Sequence, residues 1–249
     1  MNIYESEQLL SEYLLFHYGE ERDILPYDFG PHTALNFAVR CVTELLPLAG
    51  RSEFGNAVDI GCAVGRSSFE LARVCKHVTG IDFSARFVEA ANYVKEHGQI
   101  SFDATEEGKR VRRCFGTLPS DIDRTRVDFE TGDAQHLEDK LDGADLVLAS
   151  NLICRLQEPM RFFSRLPELV RQEGVLLICS PYTWMENFTP LENWIGAKNP
   201  QDFSAFETIE KILVPDFELL GTREIPFLIR EHARKFQWSV SHGSIWQRK

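Results

Sequence analysis

Short apolar runs alternate with segments of helical periodicity through the middle of the chain. Runs of this length, bounded by polar residues or glycine, are typical of strands that are buried on both faces. Helices are predicted between the first runs, over Ser67 to Val74 and Ala85 to His97. Strands that alternate strictly with helices predict βαβ units and therefore a parallel sheet. The five predicted strands cover Ala57 to Ile60, Val78 to Asp82, Val127 to Glu130, Ala144 to Ala149 and Val175 to Ser180.

The two ends of the chain have different patterns. Near the start, apolar residues at helical spacing predict a helix over Ser6 to Tyr18, with its first residue as the N-cap. A second helix is predicted over roughly Thr33 to Leu46. Near the end, Phe217 to Ile229 and Lys235 to Trp246 are predicted to be two long strands of an antiparallel hairpin.

Two stretches interrupt the alternation. Residues 98–126 are polar and charged, with Gly108 in a turn-like sequence, so we expect an insertion that can fold as a hairpin. Residues 182–203 form a long loop that carries Trp184, and loops of this length are often functional lids. A chain of 249 residues can bury a sizeable core as one α/β domain, so a single domain over residues 1–249 is expected.

The composition is that of an ordinary soluble globular protein, with 43% hydrophobic residues and a mean hydropathy of −0.23. No apolar run approaches the roughly 18 residues of a membrane span. The first residues have neither the basic nor the apolar region of a signal peptide. The sequence therefore predicts no membrane association and a cytoplasmic location.

Cysteine spacing and net charge narrow the class of ligand. No two cysteines form a C-x-x-C pair, which argues against a zinc site or a disulfide framework, so no metal is expected. The formal net charge of −11 would repel a polyanionic nucleic acid. A small-molecule ligand is therefore favoured over a nucleic acid. The six cysteines are Cys41, Cys62, Cys75, Cys114, Cys154 and Cys179.

A glycine-containing segment joins the first predicted strand to its helix. Residues 58–65 read V-D-I-G-C-A-V-G, and Gly61 and Gly65 let the backbone turn sharply and approach a ligand, with Cys62 as a small filler between them. Asp82 ends the next strand, where a carboxylate can accept hydrogen bonds from both hydroxyls of a ribose. Dinucleotide binding requires G-x-G-x-x-G, whereas position 63 is alanine. The segment therefore predicts a nucleoside ligand other than a dinucleotide.

The acid at position 59 indicates the charge of that ligand. Asp59 would repel a pyrophosphate but suits a cation, and S-adenosylmethionine carries both a sulfonium and an amino group. A lone D-x-G-x-x-x-G can be a structural turn, and Asp133 alone can be a turn residue. Together these pieces follow successive strands in order, which favours a cofactor site. Further cofactor candidates are Phe83, Asp133 for the adenine amino group, Ala134 for a ring nitrogen, and Asn151 at the end of the fourth strand.

These pieces together resemble class I S-adenosylmethionine-dependent methyltransferases. The resemblance implies a Rossmann-like α/β fold, with a seven-stranded, mostly parallel sheet, helices on both faces and an antiparallel C-terminal hairpin. Other segments resemble 4-mercaptohistidine N-methyltransferases of ovothiol biosynthesis more closely. These segments are Tyr4 to Gly19, Leu25 to Tyr27, Ala34 to Phe37, Gly61 to Phe69, Ile81 to Phe87, Ser180 to Trp184, Phe188 to Pro190 and Glu192 to Trp194.

That closer resemblance implies a specific reaction. The family methylates the π nitrogen of the imidazole ring of 5-thiohistidine, which forms ovothiol A. It occurs as a free-standing enzyme or as the C-terminal domain of a fused sulfoxide synthase, so functional coupling to such a synthase is expected. Nothing in this chain supplies the iron-dependent synthase activity itself.

The acceptor pocket is expected between the N-terminal helical segment (residues 1–50), the loop after the fourth strand, residues 182–203 and the tail. An amino-acid acceptor needs an anchor for its carboxylate, and a bidentate guanidinium is the strongest choice. Arg155 and Arg230 are the candidates for this anchor. The candidates for contact with the ring or the walls are Tyr13, His17, Tyr18, His32, Tyr182 and Trp184.

The candidate catalytic residues are Tyr13, His17 and Asn151. A neutral His17 or a chain of water molecules could accept the proton of the attacking nitrogen, and the sequence does not choose between them. Two other functions stay open: methyl transfer to another small acceptor such as a thiol or a carboxylate, and cofactor binding without turnover. Amino methylation of DNA is disfavoured because residues 151–154 read N-L-I-C and lack the Asn/Asp-Pro-Pro-aromatic motif.

Overall fold

The computed structural model describes residues 5–249, so Tyr4, which begins the first of the resembling segments, lies outside the described residues. The strands are β1 (Phe54–Ile60), β2 (Cys75–Asp82), β3 (Gln99–Glu107), β4 (Arg110–Thr117), β5 (Val127–Thr131), β6 (Ala144–Ser150), β7 (Val170–Ser180), β8 (Phe217–His232) and β9 (Lys235–Arg248). The α-helices are α1 (Glu7–Tyr18), α2 (Glu21–Ile24), α3 (Phe37–Thr43), α4 (Arg66–Leu71), α5 (Ala85–His97), α6 (Pro159–Leu169) and α7 (Ala205–Leu213).

Seven strands form one sheet in the order β5-β2-β1-β6-β7-β9-β8. The first five strands in this order are parallel to one another, β9 is antiparallel to β7, and β8 is antiparallel to β9. This arrangement confirms the predicted Rossmann-like fold with its antiparallel C-terminal hairpin. All seven strands predicted from the sequence lie within observed strands.

Side chains of the central strands alternate between two hydrophobic clusters. Leu146 and Leu148 belong to a cluster with residues of α1, α3, α4 and α5, whereas Val147 and Ala149 belong to a cluster with residues of α6 and α7. Because successive side chains of a strand point to opposite faces, helices cover both faces of the sheet. Burial of each large side chain in these clusters stabilises the fold by about 1.5–3 kcal/mol.

The N-terminal helices differ in part from the prediction. The hydroxyl of Ser6 accepts a hydrogen bond from the backbone N–H of Leu9, so the predicted N-cap of α1 is confirmed. The helix predicted over roughly Thr33 to Leu46 is present, but its predicted bounds are wrong. Asn36 has φ of 58°, which interrupts the helical backbone, and only Phe37–Thr43 is α-helical between two short 3-10 turns.

Helices α6 and α7 were not predicted from the sequence. Pro167 lies inside α6, where it removes a backbone donor and obscures the helical pattern. Helix α7 begins with a capping box, in which Ser204 and Glu207 hydrogen-bond to each other's backbone N–H groups. Both helices lie on the same face of the sheet.

Residues 98–126 contain the antiparallel hairpin β3–β4, separate from the main sheet. The hairpin packs on α1, and a Cβ atom on Gly116 would lie 2.4 Å from the Cβ of Tyr18. The insertion therefore holds the N-terminal helix against the rest of the protein. Within residues 5–249, no helix combines the length and the apolar character needed to cross a membrane.

Candidate functional site

Three strained residues mark the carboxyl edge of the parallel strands. Ala63, Asn151 and Tyr182 follow β1, β6 and β7, and their φ angles are 49°, 53° and 50°. Positive φ is unfavourable for residues other than glycine, and such strain is concentrated at functional sites. Ligands of open α/β sheets bind at this edge. The backbone therefore points to the same edge of the sheet as the sequence motifs.

The loop after β1 is held by its own backbone and by helix α1. Gly61 and Gly65 have φ of 74° and 87°, and a Cβ atom on Gly65 would lie 2.5 Å from the ring of Phe129. The hydroxyl of Tyr18 donates a hydrogen bond of 2.7 Å to the carbonyl oxygen of Val64. Glycine at position 65 is therefore required for packing as well as for the turn, and α1 is attached directly to the loop.

Cys62 is a buried residue of this loop, with 1% of its surface exposed. Burial, with the nearby carboxylates of Asp82 and Asp59, raises the pKa of its thiol well above the usual value. Such a thiol stays protonated and unreactive. Its structural environment fits a small filler in the loop.

Asp82 connects the glycine loop to the start of α5. One carboxylate oxygen accepts a hydrogen bond of 2.8 Å from the N–H of Ala63, and the other accepts one of 2.9 Å from the N–H of Ser84. Burial raises the pKa of Asp82. A carboxylate has about four lone-pair positions, so Asp82 can accept further hydrogen bonds from a ligand. The neighbouring side chain of Phe83 is 64% exposed.

Asp59 is a buried carboxylate with an unsatisfied oxygen. Its Oδ2 accepts hydrogen bonds from the hydroxyls of Ser67 and Ser68 at 2.8 and 2.6 Å. Among the described residues, its Oδ1 is buried without a hydrogen-bond partner. Burial, with a further contribution from the charge of Asp82, raises the pKa of Asp59 to about 6. A buried negative charge of this kind fits a positively charged ligand.

The segment after β5 is a local turn. The carboxylate of Asp133 accepts hydrogen bonds from the N–H of Gln135 at 2.9 Å and pairs with the ring of His136 at 3.0 Å. Burial alone would raise the pKa of Asp133, but these hydrogen bonds outweigh it and the pKa is lowered. Ala134 is buried beside it. Asp133 is thus an ionised carboxylate at the end of the strand next to β2.

His17 lies in an aromatic environment on α1. Its ring centroid is 5.9 Å from that of Tyr13, and the Tyr13 ring is in turn 4.7 Å from that of Phe87. Burial, with the positive charge of Arg66, lowers the pKa of His17 to about 3, and its Nδ1 is buried without a hydrogen-bond partner in residues 5–249. The ring is therefore neutral and can accept a hydrogen bond, but it is a weak proton acceptor.

Two other N-terminal candidates differ in their exposure. Tyr18 is 7% exposed, and its hydroxyl is used by the glycine loop. His32 is exposed on a short 3-10 turn (His32–Ala34) that contacts β8. The structure therefore brings Tyr13, His17 and Tyr18 together on one helix, with His32 on a separate turn.

The two candidate arginines are in different environments. Arg155 donates to the carbonyl oxygen of Thr183 at 2.9 Å, and its guanidinium carbon lies 4.8 Å from the ring centroid of Phe188. Arg230 is 2% exposed, and its guanidinium donates to the side chain of Glu106 at 2.8 Å and to two backbone carbonyls. Arg155 therefore supports the loop after β7, whereas Arg230 attaches β8 to the β3–β4 hairpin.

The tail supplies two residues that sequence reasoning missed. The hydroxyl of Ser241 donates to the side-chain oxygen of Asn151 at 2.9 Å, and the hydroxyl of Tyr182 lies 2.9 Å from Nδ1 of His242. His242 is paired with Ser180, the last residue of β7. No local sequence signal marks these residues, because only the register of β9 brings them to the carboxyl edge.

Arg66 was also missed. It is the first residue of α4, is 8% exposed, and forms an ion pair of 3.0 Å with Glu70. Its charge contributes to the lowered pKa of His17. The sequence signal that could have identified Arg66 is its position directly after Gly65, the last glycine of the loop.

A cavity of about 590 Å³ lies between the loop of residues 182–203, the first turn of α6, and helix α7. Its walls include Trp194, Phe203 and Lys198, and they contain no residue of the glycine loop. The glycine loop, Asp59 and Asp82 lie elsewhere, at the carboxyl ends of β1 and β2. We therefore distinguish this cavity from the candidate site.

Residues 58–178 match the family model described as a methyltransferase domain. No curated protein matches the chain in sequence. Among solved structures, the chain is similar to the N-methyltransferase NodS from Bradyrhizobium japonicum WM9 in complex with S-adenosyl-L-homocysteine. The two sequences are 14% identical, the alignment covers 96% of this chain and 98% of NodS, and the TM-score is 0.53.

Two further structures show the same likeness. A methyltransferase from Methanosarcina mazei has 15% identity over 79% of this chain and 93% of its own, with a TM-score of 0.52. A protein from Pyrococcus horikoshii OT3 has 15% identity over 92% of this chain and 96% of its own, with a TM-score of 0.53. At these identities the likeness establishes the fold, and the match of residues 58–178 adds the activity. The chain is therefore an S-adenosylmethionine-dependent methyltransferase.

Proposed function

We propose that this enzyme methylates the π nitrogen of the imidazole ring of 5-thiohistidine and so forms ovothiol A. The observation that carries the proposal is the hydrogen bond from Tyr18 to Val64, which attaches α1 to the cofactor loop. Helix α1 belongs to a segment that resembles 4-mercaptohistidine N-methyltransferases. The loop Ser180 to Trp184, which shares that resemblance, follows β7 at the same edge of the sheet.

The residues at this edge fit S-adenosylmethionine. The unpaired Oδ1 of Asp59 suits the positively charged part of the cofactor, and Asp82 has lone pairs for the ribose. When bound, the cofactor supplies a methyl group on a positively charged sulfur. The residues that would hold it are Asp59, Gly61, Cys62, Gly65, Asp82, Phe83, Asp133, Ala134 and Asn151.

Asp82→Ala tests this assignment of the cofactor site. Loss of the hydrogen bonds to ribose should weaken S-adenosylhomocysteine binding by about 2–4 kcal/mol. The variant also loses the bonds to Ala63 and Ser84, so its folding is checked by circular dichroism before calorimetry. Wild-type affinity in a folded variant would contradict the assignment.

On the acceptor side, His17 is proposed to accept a hydrogen bond, because its neutral Nδ1 has no partner within the described part of the chain. Because its pKa is about 3, His17 would not retain a proton at neutral pH, so the proton of the attacking nitrogen is proposed to leave through a chain of water molecules to bulk solvent. Arg155 is proposed to anchor the carboxylate. Arg230 is left out of the pocket because its guanidinium is buried in an ion pair. Tyr13, Tyr182 and Trp184 are proposed to form walls.

The sulfur of the proposed acceptor must come from another enzyme. We therefore propose functional coupling to a sulfoxide synthase that inserts sulfur into histidine. The synthase reaction precedes methylation, since the proposed methyl acceptor already contains the sulfur.

The test is methyl transfer from isotopically labelled S-adenosylmethionine to 5-thiohistidine and to histidine, with the product identified by NMR. We expect a kcat/KM about 100-fold higher for 5-thiohistidine, because polar groups shaped for sulfur would be left unpaired by histidine. The product should carry the methyl group on nitrogen. Equal kcat/KM values, or an S-methyl product, would refute the proposal, and transfer only to other thiols or carboxylates would identify a different acceptor.

A further inference from the structure

Tyr182 and His242 form a hydrogen-bonded pair beyond the cofactor loop. The Tyr182 hydroxyl lies 2.9 Å from Nδ1 of His242, and the His242 ring also makes an edge contact with Phe206 at 4.4 Å between centroids. The backbone of Tyr182 has φ of 50°, and its N–H donates to the hydroxyl of Ser180 at 3.0 Å. The pair is thus held in a strained conformation at the carboxyl end of β7.

The proton positions in this pair follow from its surroundings. Burial raises the pKa of Tyr182, with Cys179 and Glu224 contributing, so its hydroxyl stays protonated and donates. Burial lowers the pKa of His242, although Glu224, directly opposite on β8, acts in the other direction. His242 is therefore neutral, accepts at Nδ1 and carries its own proton on Nε2. The hydrogen bond with Tyr182 uses Nδ1 and leaves Nε2–H to donate to another group.

The loop that carries Tyr182 contains a buried donor without a partner among the described residues. The indole Nε1 of Trp184 is buried and, among residues 5–249, makes no hydrogen bond. The backbone N–H of Trp184 donates to the carbonyl oxygen of Tyr182 at 3.0 Å, which connects the two side chains through one turn. Buried donors are nearly always satisfied in a working protein. This buried N–H without a partner, one turn from the Tyr182–His242 pair, therefore indicates a ligand atom that accepts hydrogen bonds.

We propose that Nε2–H of His242, held in this tautomer by Tyr182, donates a hydrogen bond to the anionic sulfur of the acceptor. His242 is then a specificity-determining residue and Tyr182 a positioning residue. A thiolate held by a donor is less nucleophilic and is fixed in direction, which leaves the ring nitrogen to receive the methyl group. This inference rests on the proposed function and adds the group that recognises sulfur.

The first test is NMR of His242 with labelled imidazole nitrogens, assigned with His242→Gln. The wild type should show the Nε2–H tautomer, and Tyr182→Phe should give a mixture of tautomers. With S-adenosylhomocysteine bound, addition of 5-thiohistidine should raise the pKa of His242, because a thiolate stabilises the imidazolium. Addition of histidine should leave that pKa unchanged.

The second test separates recognition from folding. His242→Phe keeps an aromatic ring but removes the donor, and it should raise KM for 5-thiohistidine about 10- to 100-fold and produce some S-methyl product. His242→Gln places an amide N–H near the position of Nε2 and should restore most of the loss. His97→Asn, on the exposed end of α5, is the control that should behave as the wild type.

A wild-type Nδ1–H tautomer, an unchanged pKa on addition of 5-thiohistidine, or normal KM and product in His242→Phe would each overturn the inference. Failure of the proposed function would look different, because the wild type would then not methylate 5-thiohistidine at nitrogen. In that event the tautomer and the pKa response to 5-thiohistidine still decide the inference: both together support sulfur recognition, and the absence of either overturns it.

Discussion

Asp59→Asn should stabilise the enzyme at neutral pH while weakening its cofactor binding. The carboxylate of Asp59 is 1% exposed, and one of its oxygens has no hydrogen-bond partner among the described residues. Its pKa rises from 3.8 to about 6 in the folded protein, mainly through burial. Each pKa unit corresponds to about 1.4 kcal/mol, so the ionised group costs about 3 kcal/mol of stability at neutral pH.

The sign follows from proton linkage. Between pH 4 and pH 6 the folded state binds more protons at Asp59 than the unfolded state, so the free energy of unfolding falls as the pH rises. An asparagine does not titrate. The advantage of the variant should therefore grow from about 1 kcal/mol at pH 4.5 to about 3 kcal/mol at pH 7.5. In the variant, the side-chain amide N–H that replaces Oδ1 of Asp59 has no acceptor. This lowers the stability gain at both pH values equally, by about 1–2 kcal/mol, and leaves the difference between them at about 2 kcal/mol.

Urea unfolding of both proteins at the two pH values measures this difference, and calorimetry with S-adenosylhomocysteine measures the affinity. Asp128→Asn is the matched control. Lys95 lowers the pKa of that exposed carboxylate, so the control should show a small effect of opposite sign. A pH-independent advantage of Asp59→Asn would refute the linkage argument, and unchanged affinity would refute the role of Asp59 in cofactor binding.

Two further substitutions test the structural roles inferred above. Gly65→Ala should destabilise the protein by about 1–3 kcal/mol more than Gly50→Ala in thermal unfolding, because both residues have positive φ but only the first would clash with Phe129; equal losses would rule out the clash. Arg230→Met should cost about 3 kcal/mol because two carbonyls lose the Arg230 donor and Glu106 keeps only its ion pair with Arg112, with kcat unchanged in the folded fraction. A large loss of kcat without a loss of stability would instead return Arg230 to the acceptor pocket.

The local pattern of the sequence was enough to predict the strands of the sheet and the glycine loop after β1. Strands β1, β2, β5, β6 and β7 are short apolar runs because both of their faces are buried, and burial on both faces leaves a signal in each run by itself. The glycine loop was equally visible, since Gly61 and Gly65 occupy backbone conformations that exclude most other residues. These features depend on neighbours within a few residues along the chain.

Prediction from the local pattern failed at two helices, where the conformation of one residue or its lack of an N–H donor differs from what the neighbouring residues favour. Asn36 adopts a left-handed conformation and divides the helix predicted over Thr33 to Leu46. Pro167 lies within α6, which tertiary packing maintains in spite of the missing donor. In both cases packing with distant segments outweighed the local preference.

The roles of the polar side chains were decided by tertiary structure alone. Arg230 was a reasonable anchor by residue type, but 124 positions along the chain separate it from Glu106, which occupies its guanidinium in the fold. His242 and Tyr182 carry no motif and meet only because β9 pairs with β7 in one register. Hydrophobic periodicity is a property of adjacent residues and can be read from the sequence. The partner of a polar group is set by the register and packing of distant elements, which only the folded chain defines.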